Sequence, residues 1–144
     1  METGDVRTKR VVSGHDVGKA IHPLAAKGQI EGGVSQGVGY ATIEHLVVDE
    51  HGVMHNNNFT GYVIPTSQDA PEITAVIVEH PYSGGPHGAK GLAESPIVGP
   101  GAAVACATAH ALSTPVAELP LTPEYIRRKI TEHMTTPAHE EDRP

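Results

Sequence analysis

The sequence predicts an α+β domain in which a mostly antiparallel sheet carries two main helices packed on it. Three observations carry this expectation. Short runs rich in β-branched or apolar residues recur at Val6 to Val12, His45 to His55 and Ile73 to Glu79, each interrupted by or close to Gly, Pro or Ser, which is how strands read. Two longer stretches, Leu24 to Leu46 and Val98 to Leu112, are instead helix-like in spacing or rich in alanine. Finally, 38% hydrophobic residues with 16 Gly and 12 Pro in 144 positions describe a folded, turn-rich chain rather than a low-complexity one.

The elements follow in order. Val6 to Val12 is β-branched and stops at Ser13-Gly14, so a strand is expected there. Pro23 can open a helix at its first turn, and Leu24, Ile30, Val34, Val38 and Ile43 then recur at roughly helical spacing. Gly28, Gly32, Gly33, Gly37 and Gly39 oppose that helix by about 1 kcal/mol each, so tight packing or a ligand must hold it. His45 to Asp49 and Val53 to His55 flank Glu50-His51-Gly52 and predict a β-hairpin. Ile73 to Glu79, between Pro71 and Pro81, predicts another strand. Pro81 to Gly91 holds four glycines and two prolines, which is loop chemistry, and long loops in compact domains are usually functional. Ser95-Pro96 has the form of an N-cap followed by a helix-opening proline, with Gly99-Pro100-Gly101 delaying or bending the helix that runs to Leu112. Thr122-Pro123-Glu124 opens a last short helix through Ile130. One domain over residues 1–130 is expected, with 131–144 as a disordered tail.

Charge and cysteine usage exclude several function classes. Ten basic residues against 17 acidic give a net charge of −7, and no basic cluster is interleaved with aromatics, so nucleic acid is set aside. No apolar run approaches the ~20 residues of a membrane helix, and Met1 to Asp5 lacks the features of a signal peptide; a cytoplasmic protein is expected. Cys106 stands alone, which rules out an internal disulfide or a cysteine-ligated iron–sulfur cluster held by this chain, and predicts a small, buried, inert thiol. The ten histidines lack ligand-like spacing, so no metal ligands are assigned.

Two segments carry candidate chemistry. In Gly28-Gln29-Ile30-Glu31-Gly32-Gly33-Val34-Ser35-Gln36-Gly37 the glycines strip side chains from a helix face, allowing a backbone or a flat cofactor to approach. Gln29 and Gln36 share a face, and an amide, both donor and acceptor, suits a pterin edge; from the spacing alone, a tightly packed helix with two surface amides is the more ordinary reading. In Gly88-Ala89-Lys90-Gly91-Leu92-Ala93-Glu94-Ser95-Pro96 a glycine loop delivers one carboxylate just before a helix. Glu94 there is a candidate general base, or a capping acid favoured by the helix dipole by ~0.3–1 kcal/mol. Gly85 to Gly91 also admits a phosphate-binding loop, although Lys90 is followed by Gly91 where Ser or Thr would hold Mg²⁺.

Taken together, the motifs resemble the xanthine dehydrogenase and aldehyde oxidase family, in the C-terminal part of its molybdopterin-binding subunit. GQIEGGVSQGVGYA is similar to the family's Gly-Gln-x-Glu-Gly helix and GAKGLAESP to its Gly-Ala-Lys-Gly-x-Gly-Glu loop. FTGYVIPTSQDAPEI and TGDVRTKRVVSGHDVGKAIHP resemble the segments between and before them. The resemblance covers residues 3 to 130 and departs from the family pattern at Ala93, His22, Cys106 and His87. It implies a molybdopterin-binding domain in which Gln29 hydrogen-bonds the cofactor, Gly91, Leu92 and Ala93 supply backbone beside it, and Glu94 is the active-site base, partly withdrawn from water. It further implies molybdopterin, in a dinucleotide form, with iron–sulfur clusters and FAD on other chains, and hydroxylation of an aldehyde or N-heteroaromatic small molecule with oxygen from water. The partners implied are the remaining molybdopterin-binding polypeptide and the iron–sulfur and flavin subunits, in a homo- or hetero-oligomer. A non-catalytic remnant or binding module that keeps the fold without cofactor, and the phosphate module at Gly85 to Gly91, stand as alternatives.

Overall fold

The computed structural model describes residues 3–135. Its elements are β1 (Arg10–Asp16), α1 (Pro23–Thr42), β2 (Glu72–Val78), α2 (Ser95–Leu112) and α3 (Pro123–Thr135), with one 3-10 turn at Pro86–Gly88. β1 and β2 make a two-stranded parallel sheet, in register from Arg10 opposite Glu72 to Asp16 opposite Val78.

The sheet corrects the expected fold class: it is parallel, not mostly antiparallel, and three helices accompany it. The reason lies at the predicted hairpin, which contributes only the isolated antiparallel bridge between Val48 and Met54. Asp49 saturates the turn from within, its Oδ1 accepting the N–H groups of His51 and Val53 at 2.9 Å each. Such an Asp-centred turn satisfies the backbone locally and competes with a longer ladder. The sheet is left with two strands joined through a helix, and a strand–helix–strand connection sets them parallel.

β1 also starts later than expected, at Arg10 rather than Val6. The ladder begins where the Glu72 N–H donates to the Lys9 carbonyl at 3.0 Å, and Pro71 just before it has no N–H to donate. Val6 packs instead against the core.

α1 forms despite its five glycines. Pro23 occupies its first turn, and the His22 imidazole caps it, Nδ1 accepting the Ala25 N–H at 3.0 Å. Ile30, Val34, Val38 and Ala41 then fall on one buried face. Burying each large side chain contributes about 1.5–3 kcal/mol, enough to offset about 1 kcal/mol per glycine.

The core joins that stripe to Val104 of α2, to Leu121, and to Tyr125 and Ile126 of α3, with Val11, Ile73, Ala75 and Ile77 of the sheet packed against it. The Leu121 N–H donates to the Ala41 carbonyl at 2.7 Å and ties the approach to α3 onto the end of α1. Only one face of the sheet is covered; Val12, Val76 and Val78 on the other are exposed. Cys106 is exposed as well, not buried as expected, because α2 turns Val104 and Thr108 inward and position 106 falls on the opposite side.

Candidate active site

The site region is organised by the end of β1. Asp16 Oδ1 accepts the N–H groups of Gly18 at 2.9 Å and His80 at 3.2 Å, while Oδ2 receives Lys90 Nζ at 2.5 Å. The Lys90 hydrogen bond first, and the Gly18 N–H next, hold the Asp16 carboxyl at about 2. Gly18 has φ +67, and a Cβ there would run into the Gly88 carbonyl, so this turn requires glycine. The Lys90 N–H donates to Val17 O at 3.0 Å and the Lys19 N–H to Gly88 O at 2.9 Å. The glycine-rich loop is thereby fastened to the ends of both strands.

From this anchor the chain runs directly to Glu94. Leu92 is partly buried against the core, whereas Gly91, Ala93 and Glu94 are exposed. Glu94 occupies the N-cap position of α2 at φ −104, ψ −20, and its side chain makes no capping hydrogen bond. Ser95 Oγ donates to the Leu92 carbonyl at 3.3 Å and lies 3.5 Å from His15 Nδ1; His15 Nε2 in turn lies 2.9 Å from Ser13 Oγ. A polar chain, part-buried at Ser13 and His15 and exposed at Ser95, thus runs from β1 to the residue after Glu94.

The glycines of α1 divide into two sets. A Cβ on Gly33 would stand 2.7 Å from Pro96 Cβ, and one on Gly37 would stand 2.9 Å from both the Ile97 carbonyl oxygen and Pro100 Cβ. These positions let the first turns of α2 seat against α1. Gly28 and Gly32 meet nothing within 4 Å. With Gln29 and Gln36, which are exposed, they leave a bare strip of helix flanked by two amides.

The fold therefore brings the two candidate segments together: Gly33, one turn beyond Gln29, contacts Pro96, two residues beyond Glu94. It does not enclose them. Glu94, expected to be partly withdrawn from water, is exposed. None of Gln29, Gly91, Leu92, Ala93 and Glu94 lines the groove of about 730 Å³ between residues 4–12 and α2 and α3, or the hollow of about 470 Å³ beside Leu46 and Phe59.

The phosphate reading fits the geometry poorly. The amides of Gly85, Gly88, Ala89 and Lys90 already donate to Tyr82, Gly85, Pro86 and Val17 carbonyls, and the Lys90 ammonium is held by Asp16. Among the described residues, no three His, Cys, Asp or Glu side chains converge as a metal site, and no helix is long and apolar enough to cross a membrane.

Residues 1–71 match the family model described as the molybdopterin cofactor-binding domain. Over 120 residues the chain is 36% identical to the xanthine dehydrogenase molybdenum-binding subunit of Escherichia coli O157:H7, covering 83% of this chain and 16% of that protein. The chain belongs to the molybdopterin-binding subunits of the xanthine dehydrogenase and aldehyde oxidase family. It is likewise 37% identical over 129 residues to the nicotine 6-hydroxylase large subunit of Paenarthrobacter nicotinovorans, covering 88% of this chain and 16% of that one. Among solved structures, quinoline 2-oxidoreductase from Pseudomonas putida 86 superposes with a TM-score of 0.81 at 33% identity, over 88% of this chain and 16% of its own. This member of the family thus spans 16% of the length of these relatives.

In this molybdopterin-binding chain, sequence reasoning missed three residues that place the Glu94 loop: Asp16, Lys90 and His15. Asp16-Val17-Gly18, an Asp followed two residues later by Gly, is a recognisable turn signal and could have found Asp16. Lys90 lies 74 residues from its partner, a separation that no local pattern reveals.

Proposed function

We propose that this chain is one part of a molybdenum hydroxylase, an oxidoreductase that hydroxylates an aldehyde or N-heteroaromatic substrate with oxygen from water, and that Glu94 is its base. The observation that carries the reading is the state of Glu94. It sits at a helix start without capping that helix, so its carboxylate is left uncommitted, on a loop pinned from Asp16, Lys90 and Leu92. A general base needs a free lone pair, which the exposed, uncapped Glu94 carboxylate offers, on a backbone anchored beside it.

The residues present fit a pterin group. Gln29 and Gln36 offer paired donors and acceptors beside Gly28 and Gly32, where no side chain stands and nothing lies within 4 Å. Gln29 holds the cofactor edge, and the backbone of Gly91, Leu92 and Ala93 borders it. When bound, the molybdenum–pterin group supplies two-electron redox chemistry, passed on to iron–sulfur and flavin partners. Glu94 takes up the proton released as water-derived oxygen is added to the substrate carbon. Substrate enclosure falls to the polypeptide that the relatives have and this chain does not match.

Glu94→Gln in the assembled enzyme is the test. Molybdenum content and thermal stability stay unchanged while turnover falls by ~10²–10⁴. Turnover near that of the parent enzyme would remove Glu94 from the mechanism.

A further inference from the structure

We infer that the free edge of β1 and the groove beside it are built to receive one added β-strand, supplied by the remaining molybdopterin-binding polypeptide. The inference rests on the reading that this chain works inside a larger subunit.

The ladder leaves β1 half used. Lys9 O accepts from the Glu72 N–H, and the Val17 N–H donates to Val78 O. In the alternation of a parallel ladder, the odd-numbered residues of β1 therefore face β2. The N–H and C=O groups of Arg10, Val12, Gly14 and Asp16 point to the other edge, where no backbone partner meets them among the described residues. An unpaired edge is a template for another strand.

The adjoining groove has the shape such a strand needs. Its volume is about 730 Å³, and its walls include Val11 and Val12 on one side and Ala103, Ala107 and Ala111 of α2 on the other. Those alanines, spaced four apart, are exposed, so α2 presents a shallow apolar ceiling beside β1. Arg7, Lys9 and Arg10 line one end of the groove.

The occupant follows from this chemistry and from length. It is an extended segment with small or apolar side chains on the face toward α2 and an acidic residue toward Arg7 and Lys9. The relatives have most of their polypeptide outside the matched stretch, which is 16% of their length, and that polypeptide is the source assigned here. Main-chain pairing supplies the affinity in such strand addition, and the alternating side chains supply the specificity.

The experiment mixes the full chain with the E. coli O157:H7 xanthine dehydrogenase molybdenum-binding subunit from which the matching stretch has been deleted. Amide hydrogen exchange, binding and molybdenum content are measured together. The Val12 and Gly14 amides become protected in the complex, and Ala107→Arg, at an exposed helical position that leaves the circular dichroism unchanged, weakens binding by at least about tenfold. Ala102→Arg, exposed on α2 but outside the groove, leaves binding unaltered. Absence of a complex, a complex whose Val12 and Gly14 amides exchange as in the free chain, or equal effects of the two arginines would overturn the inference. So would the same protection arising by self-association without the deleted subunit, which assigns the edge to a second copy. Molybdenum in a complex without edge protection sinks the strand alone; edge protection without molybdenum upholds the strand and sinks the cofactor reading.

Discussion

Gly33 of α1 and Pro96 of α2 meet so closely that a methyl group on the glycine would stand 2.7 Å from the proline Cβ. Gly32, the preceding residue, faces open space. One residue of rotation on a helix thus separates a glycine required by packing from one that is not. Gly33→Ala is expected to lower stability by about 1–3 kcal/mol through overpacking. Gly32→Ala should raise it by about 0.5–1 kcal/mol, because alanine has the better helix propensity and meets nothing. Urea denaturation of the two variants checks the opposite signs.

Asp16 links stability to acid. Its carboxyl is lowered from 3.8 to about 2, first by Lys90 and then by the Gly18 N–H. A depressed folded-state value means that the ionised form favours folding: the contribution is complete above 3.8 and disappears as pH falls through about 2. Asp16→Asn should therefore be less stable than the parent at neutral pH, with the difference shrinking between pH 3.8 and about 2. Thermal melts across that window would show a constant difference if Asp16 were not the group responsible.

The His22 cap predicts a graded series. Its Nδ1 accepts the Ala25 N–H at 3.0 Å, a task that an asparagine oxygen also performs at N-caps. His22→Asn should leave stability nearly unchanged, whereas His22→Ala should lower it by about 1 kcal/mol. Equal losses in both variants would mean that the ring matters for something other than its acceptor.

Tyr62 should ionise late. Its hydroxyl donates to Glu44 Oε2 at 2.6 Å, and that bond, followed by desolvation, pushes the phenol from 10.0 up to about 12. A raised value means that the neutral phenol favours folding, an effect complete below 10.0 and lost as pH rises through about 12. Spectrophotometric titration should show one phenolate appearing near that upper value, and Tyr62→Phe should remove it. A titration curve unaltered by the substitution would contradict the assignment.

Cofactor holding can be read separately from turnover. Gln29→Ala in the assembled enzyme should reduce molybdenum retained through purification, since loss of one amide contact leaves polar groups unpaired at about 1–3 kcal/mol. Full retention would take Gln29 out of the binding face.

Much of this molecule was legible in the chain itself, and the parts that were share one property: their causes are local. Pro23 before Ile30, Val34 and Val38 marked α1, and Pro96 before an alanine-rich stretch marked α2, because helix-opening prolines and helical periodicity act within a few residues; the N-cap of α2 is Glu94, not Ser95 as expected. The order of the Gln29 and Glu94 motifs pointed to the family for the same reason. The tertiary structure alone decided what depends on contacts between distant segments. Whether the sheet was parallel turned on Asp49 closing its own turn and on β1 finding β2 across α1. Whether Gly33 or Gly32 was indispensable turned on where α2 came to rest. Asp16 and Lys90, 74 residues apart, became partners only once both strand ends converged. Burial followed the same rule: Cys106 and Glu94 lie in sunlit positions on the chain's surface because solvent exposure belongs to the packed whole, not to any stretch of sequence.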